Sequence, residues 1–321
     1  MSPPPFSYRR LGLLVTAGAL LAALVSGAVT VGLAEASGGP GVSEQTLTYC
    51  NEGGTPLHMN LFMPTGRKLP LPAVLQVHGG GWVSGHPMRA LADSPILAGL
   101  VRSGIAVASV GYRLAPGARW PAQIRDVECA MRSLRAHAAE LGIDPARIGA
   151  WGDSAGGQLV SLLGTAPHSY RYRGEPYRGE TARPLAVVDE FGPVDLSAAV
   201  WGGALHRYIR ATFGVEAGTP APVLEAASPL LHVAPGDPPF LILQGTADHL
   251  VPFSQSVSFA AALRADRVPV RLVLVSGGGH GLLTPGEHPS PRWIAGAVVR
   301  FFVHQLAEGA RTARPGPRAR R

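Results

Sequence analysis

Lysine is almost absent from this chain. Of 28 basic residues only Lys68 is a lysine, and the rest are arginines. Cysteine is nearly as scarce: Cys50 and Cys129 are the only two, which excludes a disulfide scaffold and a cysteine-based structural zinc site. They fall in different predicted elements at an unknown separation, so two buried thiols are the expectation. Charged residues are 15% of the 321, too few for a solvated polyelectrolyte. There is no internal repeat and no second apolar segment large enough for another core.

Apolar residues, by contrast, reach 46%, and the chain holds 41 glycines and 30 prolines. That is ample material for one large α/β domain. The net charge of +7 invites a nucleic-acid reading until it is located. The segment Gly309–Arg321 carries five arginines and no acid, and reads as a disordered basic tail. Residues 1–36 contribute a net +1 through Arg9, Arg10 and Glu35, which leaves about +1 for Ser37–Glu308. A nearly neutral domain has no electrostatic reason to bind nucleic acid, and no such partner is expected.

The first 36 residues read as a targeting segment. Arg9 and Arg10 precede an uncharged run, Leu11–Leu33, followed by Ala34-Glu35-Ala36. A basic start, an apolar stretch and a small-x-small site fit a secretory signal cleaved after Ala36. The run also has the length of a bilayer span, so a retained membrane anchor is the alternative. Either reading places the remainder outside the cytoplasm, secreted or membrane-attached.

From Ser43 to Leu306, strand-length apolar runs alternate with helical patterns. Gln45–Tyr49 and Leu57–Phe62 form a predicted hairpin around Asn51–Gly54. Ala73–Val77, Ile105–Val110, Ile148–Trp151, Leu185–Asp189, Phe240–Gln244 and Val270–Val275 are rich in Val, Ile and Leu, as strands buried on both faces are. Leu91–Ser103, Pro121–Leu141, Ala155–Leu163, Ser254–Arg264 and Pro291–Leu306 are the predicted helices. The alternation implies a mostly parallel sheet covered by helices on both faces. Gly192–Pro239 breaks the rhythm with Trp201, Tyr208 and Phe213 and no clear strand, so it is expected to form a small lid over a pocket.

Gly152-Asp153-Ser154-Ala155-Gly156 follows one strand and opens a helix, the context of a nucleophile elbow. Its glycines allow a turn so tight that a side chain at either would strike neighbouring backbone. His78-Gly79-Gly80-Gly81-Trp82 follows an earlier strand, and consecutive glycines let backbone N–H groups approach a developing oxyanion. Gly80, Gly81 and Ala155 are the expected donors, with His78 bracing the loop. A serine hydroxyl needs a base to take its proton. His280, in Gly277-Gly278-Gly279-His280-Gly281, lies just past the last strand, and Asp248 lies on the loop after the strand before it. The order Ser154…Asp248…His280 is that of α/β-hydrolases. Asp195 is the second choice of acid, and His249 reads as a bystander. Trp82, Trp201, Tyr208 and Phe213 are the pocket candidates. No metal or other cofactor is called for.

These segments, with Gly111–Pro116, Phe191–Leu196, Ala227–Leu230 and Pro238–Pro252, run in one order over residues 45–306. In that order the chain resembles the α/β-hydrolases of the bacterial acetyl-esterase/lipase group, related to hormone-sensitive-lipase-like and feruloyl-esterase-like enzymes. The resemblance implies an α/β-hydrolase fold and a Ser154–His280–Asp248 triad. It also implies cofactor-free hydrolysis of small-molecule carboxylic esters, short-chain ones in a single compact domain. An amidase, formamidase or peptidase using the same triad is the alternative. Gln244 departs from the pattern, where relatives carry histidine, and is expected to alter loop hydrogen bonding and not the triad.

Overall fold

A computed structural model of the protein describes residues 41–198 and 203–312. The predicted targeting segment, Trp201 and the last nine residues, 313–321, lie outside these. Among the described residues no helix is long and apolar enough to cross a membrane.

The chain enters through a long antiparallel hairpin, β1 (Val42–Glu52) and β2 (Thr55–Pro64). β2 pairs antiparallel with β4 (Ala106–Val110). From there the sheet is parallel: β3 (Leu71–Val77), β5 (Ile143–Asp153), β6 (Val187–Glu190), β7 (Phe240–Gly245) and β8 (Val270–Val275). The strand order is β1-β2-β4-β3-β5-β6-β7-β8. Every residue of β4, β6 and β7 is buried. That is why these strands are dominated by Val, Ile, Leu, Ala and Phe, with Ser109, Asp189, Glu190 and Gln244 as buried polar exceptions: both faces are covered.

Helices α1 (Pro95–Arg102) and α8 (Pro291–Thr312) cover one face. Helices α2 (Ala122–Ala136), α4 (Ala155–Thr165) and α7 (Ser254–Ala265) cover the other. Local chemistry sets the boundaries. Ser94 caps α1 by accepting hydrogen bonds from the Ile96 and Leu97 amides, with Pro95 in the first turn. The single helix predicted over Pro121–Leu141 is broken at His137 into α2 and a short α3 (Ala138–Leu141), which Gly142 ends with φ 68°. Two small helices, α5 (Gly203–Phe213) and α6 (Pro222–Ala226), occupy the predicted lid segment. α8 continues to Thr312, four residues into the segment read as a tail.

Lys68 is exposed on the turn before β3, at the edge where the parallel strands begin. The opposite edge, where they end, carries the site, as is usual in α/β sheets.

One expectation is corrected here. Cys50 and Cys129 are not free thiols but a disulfide, with their Cα atoms 6.4 Å apart. β1 shifts register between Thr48 and Cys50, and it packs on α2, which carries Cys129. The bond therefore ties the edge hairpin to the helix layer across 79 residues of chain. Reduction, or Cys129→Ala, is expected to lower the unfolding free energy by about 2–4 kcal/mol. A urea midpoint indifferent to reductant would show that the bond is absent in solution.

Candidate active site

Ser154 sits between β5 and α4 with φ 52° and ψ −118°, a strained backbone for a residue with a side chain. The strain is imposed by crowding below it. A Cβ on Gly156 would lie 2.1 Å from the Val77 carbonyl oxygen, so only glycine lets α4 start this close to the end of β3. The Ser154 amide donates to the Glu190 carbonyl at 2.8 Å, pinning the turn to β6.

Ser154 Oγ is 3.0 Å from His280 Nε2, and His280 Nδ1 is 2.8 Å from Asp248 Oδ2. Phe191 packs edge-on against the imidazole, with ring centroids 4.7 Å apart. Asp248 Oδ1 accepts from the Leu250 and Val251 amides at 2.8 and 2.9 Å. Gln244 Nε2 donates to Asp248 Oδ2 at 3.0 Å, while its Oε1 accepts from Ser256. Gln244 therefore braces the acid from behind. Burial alone would raise the Asp248 pKa, but the bonds from His280, Val251 and Leu250 outweigh it and hold the carboxyl below its usual range. A histidine bonded this way can accept a proton from the serine while the carboxylate fixes its ring.

The glycine loop lies across from this chain. Gly80 has φ 101°, and its carbonyl accepts from the Val83 and Ser84 amides, which folds the loop tightly. A Cβ there would stand 2.2 Å from the Ser84 carbonyl oxygen. The amides of Gly80, Gly81 and Ala155 have no acceptor among the described residues, and all three residues line the cavity that holds Ser154 and His280. Unpartnered amides on a glycine loop and at a helix start can receive a negative oxygen. His78 is buried beneath the loop, with Nδ1 2.7 Å from the Gly79 carbonyl and its ring stacked on Tyr112. Burial lowers its pKa.

The cavity is about 530 Å³. Tyr208 and Leu205 on α5 line it, and the Tyr208 ring lies directly over Gly81. Trp82 is a wall residue whose indole N–H donates to Gln158, with no exposed surface of its own. Phe213, expected at the pocket, is corrected: it packs behind Trp82 and Trp120 and does not line the cavity. Five residues beyond Tyr208 on a helix of 3.6 residues per turn, it points to the core. Asp195, the second choice of acid, is bonded to Ser197 and has no contact with His280. His249 is exposed. No group of three or more His, Cys, Asp or Glu among the described residues could hold a metal ion.

Sequence reasoning missed a set of acids beside the serine. Asp153, Asp189 and Glu190 are paired in register at the ends of β5 and β6 or adjacent to that pair. Burial pushes Glu190 up to about 8, aided by the negative charges of Asp153 and Asp189 and opposed by the Trp151 indole bond. Asp153 and Asp189 are each raised by burial to about 6, against backbone amides that pull them down. The available signal was two acids ending a run as apolar as Leu185–Val188.

The sign of the linkage is clear. In the unfolded chain Glu190 loses its proton near the ordinary glutamate value, while the folded protein holds it to about pH 8. The folded state binds more protons in that window, so stability falls as pH rises through it. Glu190→Gln, which keeps an oxygen for Trp151, is expected to flatten the fall in Tm between about pH 4.5 and 8. Parallel wild-type and variant curves would contradict the shift.

Comparison with known proteins places this geometry. The chain is 33% identical over 248 residues to Esterase LipC of Mycobacterium tuberculosis, covering 76% of this chain and 60% of that protein. It thus spans about three fifths of that relative's length. It is 31% identical to an ethyl acetate hydrolase of Pseudomonas putida, covering 77% of each chain. The propionate-bound structure of the esterase Est2 from Thermogutta terrifontis superposes with a TM-score of 0.67 at 26% identity, covering 86% of this chain and 97% of that one. Its sheet and surrounding helices are those of the α/β-hydrolase fold. The BD-FAE family profile matches residues 59–263, and with the fold, the elbow and the relatives in agreement, the chain belongs to the BD-FAE family of α/β-hydrolases.

Proposed function

We propose that the protein is a serine carboxylesterase acting on short-chain esters through an acyl-enzyme. The observation that carries this reading is the unbroken chain Ser154 Oγ, His280 Nε2, His280 Nδ1, Asp248 Oδ2 at the floor of a cavity that also holds three unpartnered amides.

In the first half-reaction Ser154 Oγ attacks the ester carbonyl carbon as its proton passes to His280 Nε2. The carbonyl oxygen becomes an oxyanion held by the Gly80, Gly81 and Ala155 amides. His280 then gives the proton to the leaving alcohol oxygen as the ester bond breaks. In the second half, His280 takes a proton from water, the hydroxide attacks the acyl carbon, and Ser154 recovers its proton as the acid departs. Asp248 keeps Nδ1–H in place and stabilises the imidazolium. The names of the hydrolase that matches and of the propionate complex support short acyl groups.

We also read the protein as working outside the cytoplasm. The support is the basic-then-apolar start, Arg9 to Ala36, together with a disulfide, a bond at home in oxidising compartments.

Ser154→Ala is expected to lower kcat on p-nitrophenyl acetate by about 10⁴-fold or more and to abolish labelling by a fluorophosphonate. Wild-type-like turnover in that variant would overturn the assignment. Across esters from acetate to decanoate, kcat/KM is expected to favour the short end, and a maximum at decanoate would refute the chain-length reading.

A further inference from the structure

One wing of the cavity, between α1 and α8, is walled by apolar groups: Met88, Pro95, Ile96, Leu282, Ile294 and Ala295. Glu190, only 7% exposed, lines the same cavity, where the other polar side chains near the wing, Asp93 and Ser94, already accept from backbone amides at or just before the start of α1. Glu190 Oε2 accepts from the Trp151 indole N–H at 3.0 Å. Glu190 Oε1 has no partner among the described residues, yet it is not sealed away from the cavity. A buried carboxyl with one oxygen unpaired costs free energy unless a ligand pairs with it. A long apolar chain in this wing would leave it unpaired.

We propose that Glu190 is a specificity-determining residue whose free Oε1 pairs with a hydroxyl on the part of the ester seated in the α1–α8 wing. The proposal rests on the esterase reading and names the substrate class for it: esters carrying a hydroxyl a short distance from the carbonyl.

Two observations favour a hydroxyl over an ammonium. Burial keeps the Glu190 carboxyl neutral to about pH 8, and a neutral carboxyl both donates and accepts, as a hydroxyl does. The approach to the wing also carries three arginines, while the exposed acid of the cavity lining, Asp93, is already engaged by the Arg89 and Ala90 amides. The cavity shares Pro95, Pro291 and Ala295 with an outer groove bordered by Arg102, Arg292 and Arg300. None of these arginines has an ion-pair partner among the described residues. A cationic substrate would meet like charge on entry and lose its hydration inside.

The test compares matched esters on one enzyme, so a general loss of activity cancels in the ratio. The acyl arm sets p-nitrophenyl 3-hydroxybutyrate against p-nitrophenyl butyrate. The alcohol arm sets glycerol monobutyrate against propyl butyrate. Wild type is expected to prefer the hydroxylated member by about 10-fold or more in kcat/KM in one arm, which identifies the part of the ester in the wing. Glu190→Gln, which keeps a donor and an acceptor, is expected to retain most of that preference, and Glu190→Leu to reduce it to near unity. A wild-type ratio near unity in both arms overturns the proposal whether or not the leucine variant folds. So does an undiminished ratio in Glu190→Leu, or a wild-type preference for an amine-bearing ester over its hydroxyl counterpart. Failure to hydrolyse even the unsubstituted esters would instead overturn the esterase reading, and this inference with it.

Discussion

The contact between the start of α4 and the end of β3 governs the site. Gly156 lies under the Val77 carbonyl with no space for a side chain, and three consequences follow from that single approach. Ser154 is held in a strained conformation with positive φ that lifts its hydroxyl off the sheet. The Ala155 amide, first in its helix, is brought level with the loop that leaves β3. That loop carries Gly80 and Gly81, so the crowded junction sets hydroxyl and amides relative to one another, with the Glu190 carbonyl and the loop's own bonds at Gly80 holding each side. A methyl group at Gly156 would displace all of them together.

Along the same sheet edge, carboxyl groups within one cavity region are held in opposite states by the bonds each receives. Asp248 takes two backbone amides, the Gln244 amide and the imidazole, and its carboxyl is pulled down despite burial. Glu190 takes a single indole N–H and has two acids as neighbours, so burial prevails and its carboxyl is pushed up. With both carboxyls buried, the difference lies in the donors each receives and in the charges beside it: His280 next to Asp248, Asp153 and Asp189 next to Glu190. It leaves an anion where a histidine must be oriented and a neutral acid where a ligand is to be bound.

How far the sequence could be read follows the same physics. The elbow, the glycine loop and the Asp–His order were legible because their chemistry demands particular residue types at fixed places on strand ends, and glycine has no substitute in a junction this tight. Most of the parallel strands were legible because burial on both faces keeps polar residues few, whereas β8, at the sheet edge, is half exposed and carries Arg271. The pairing of Cys50 with Cys129 was not, since it depends on a register shift in β1 and on which helix that hairpin packs against. The pocket wall was only half legible: Tyr208 and Phe213 are both aromatic and close in sequence, but helix phase sends one to the cavity and the other to the core. Glu190 was missed because an acid at a strand end reads as solvated, and its burial between β5 and β7 against Trp151 shows only in the fold.

The near-absence of lysine has a practical side. The chain's one ε-amine stands on the turn before β3, and seven residues of strand, about 20 Å, separate it from the sheet edge where Ser154 lies. Side-chain amine coupling to a resin, a dye or a sensor surface thus has a single address, on the far end of the sheet from the cavity mouth. Molecules attached there all hang in one orientation with the cavity facing outward, a property that a lysine-rich surface would scatter.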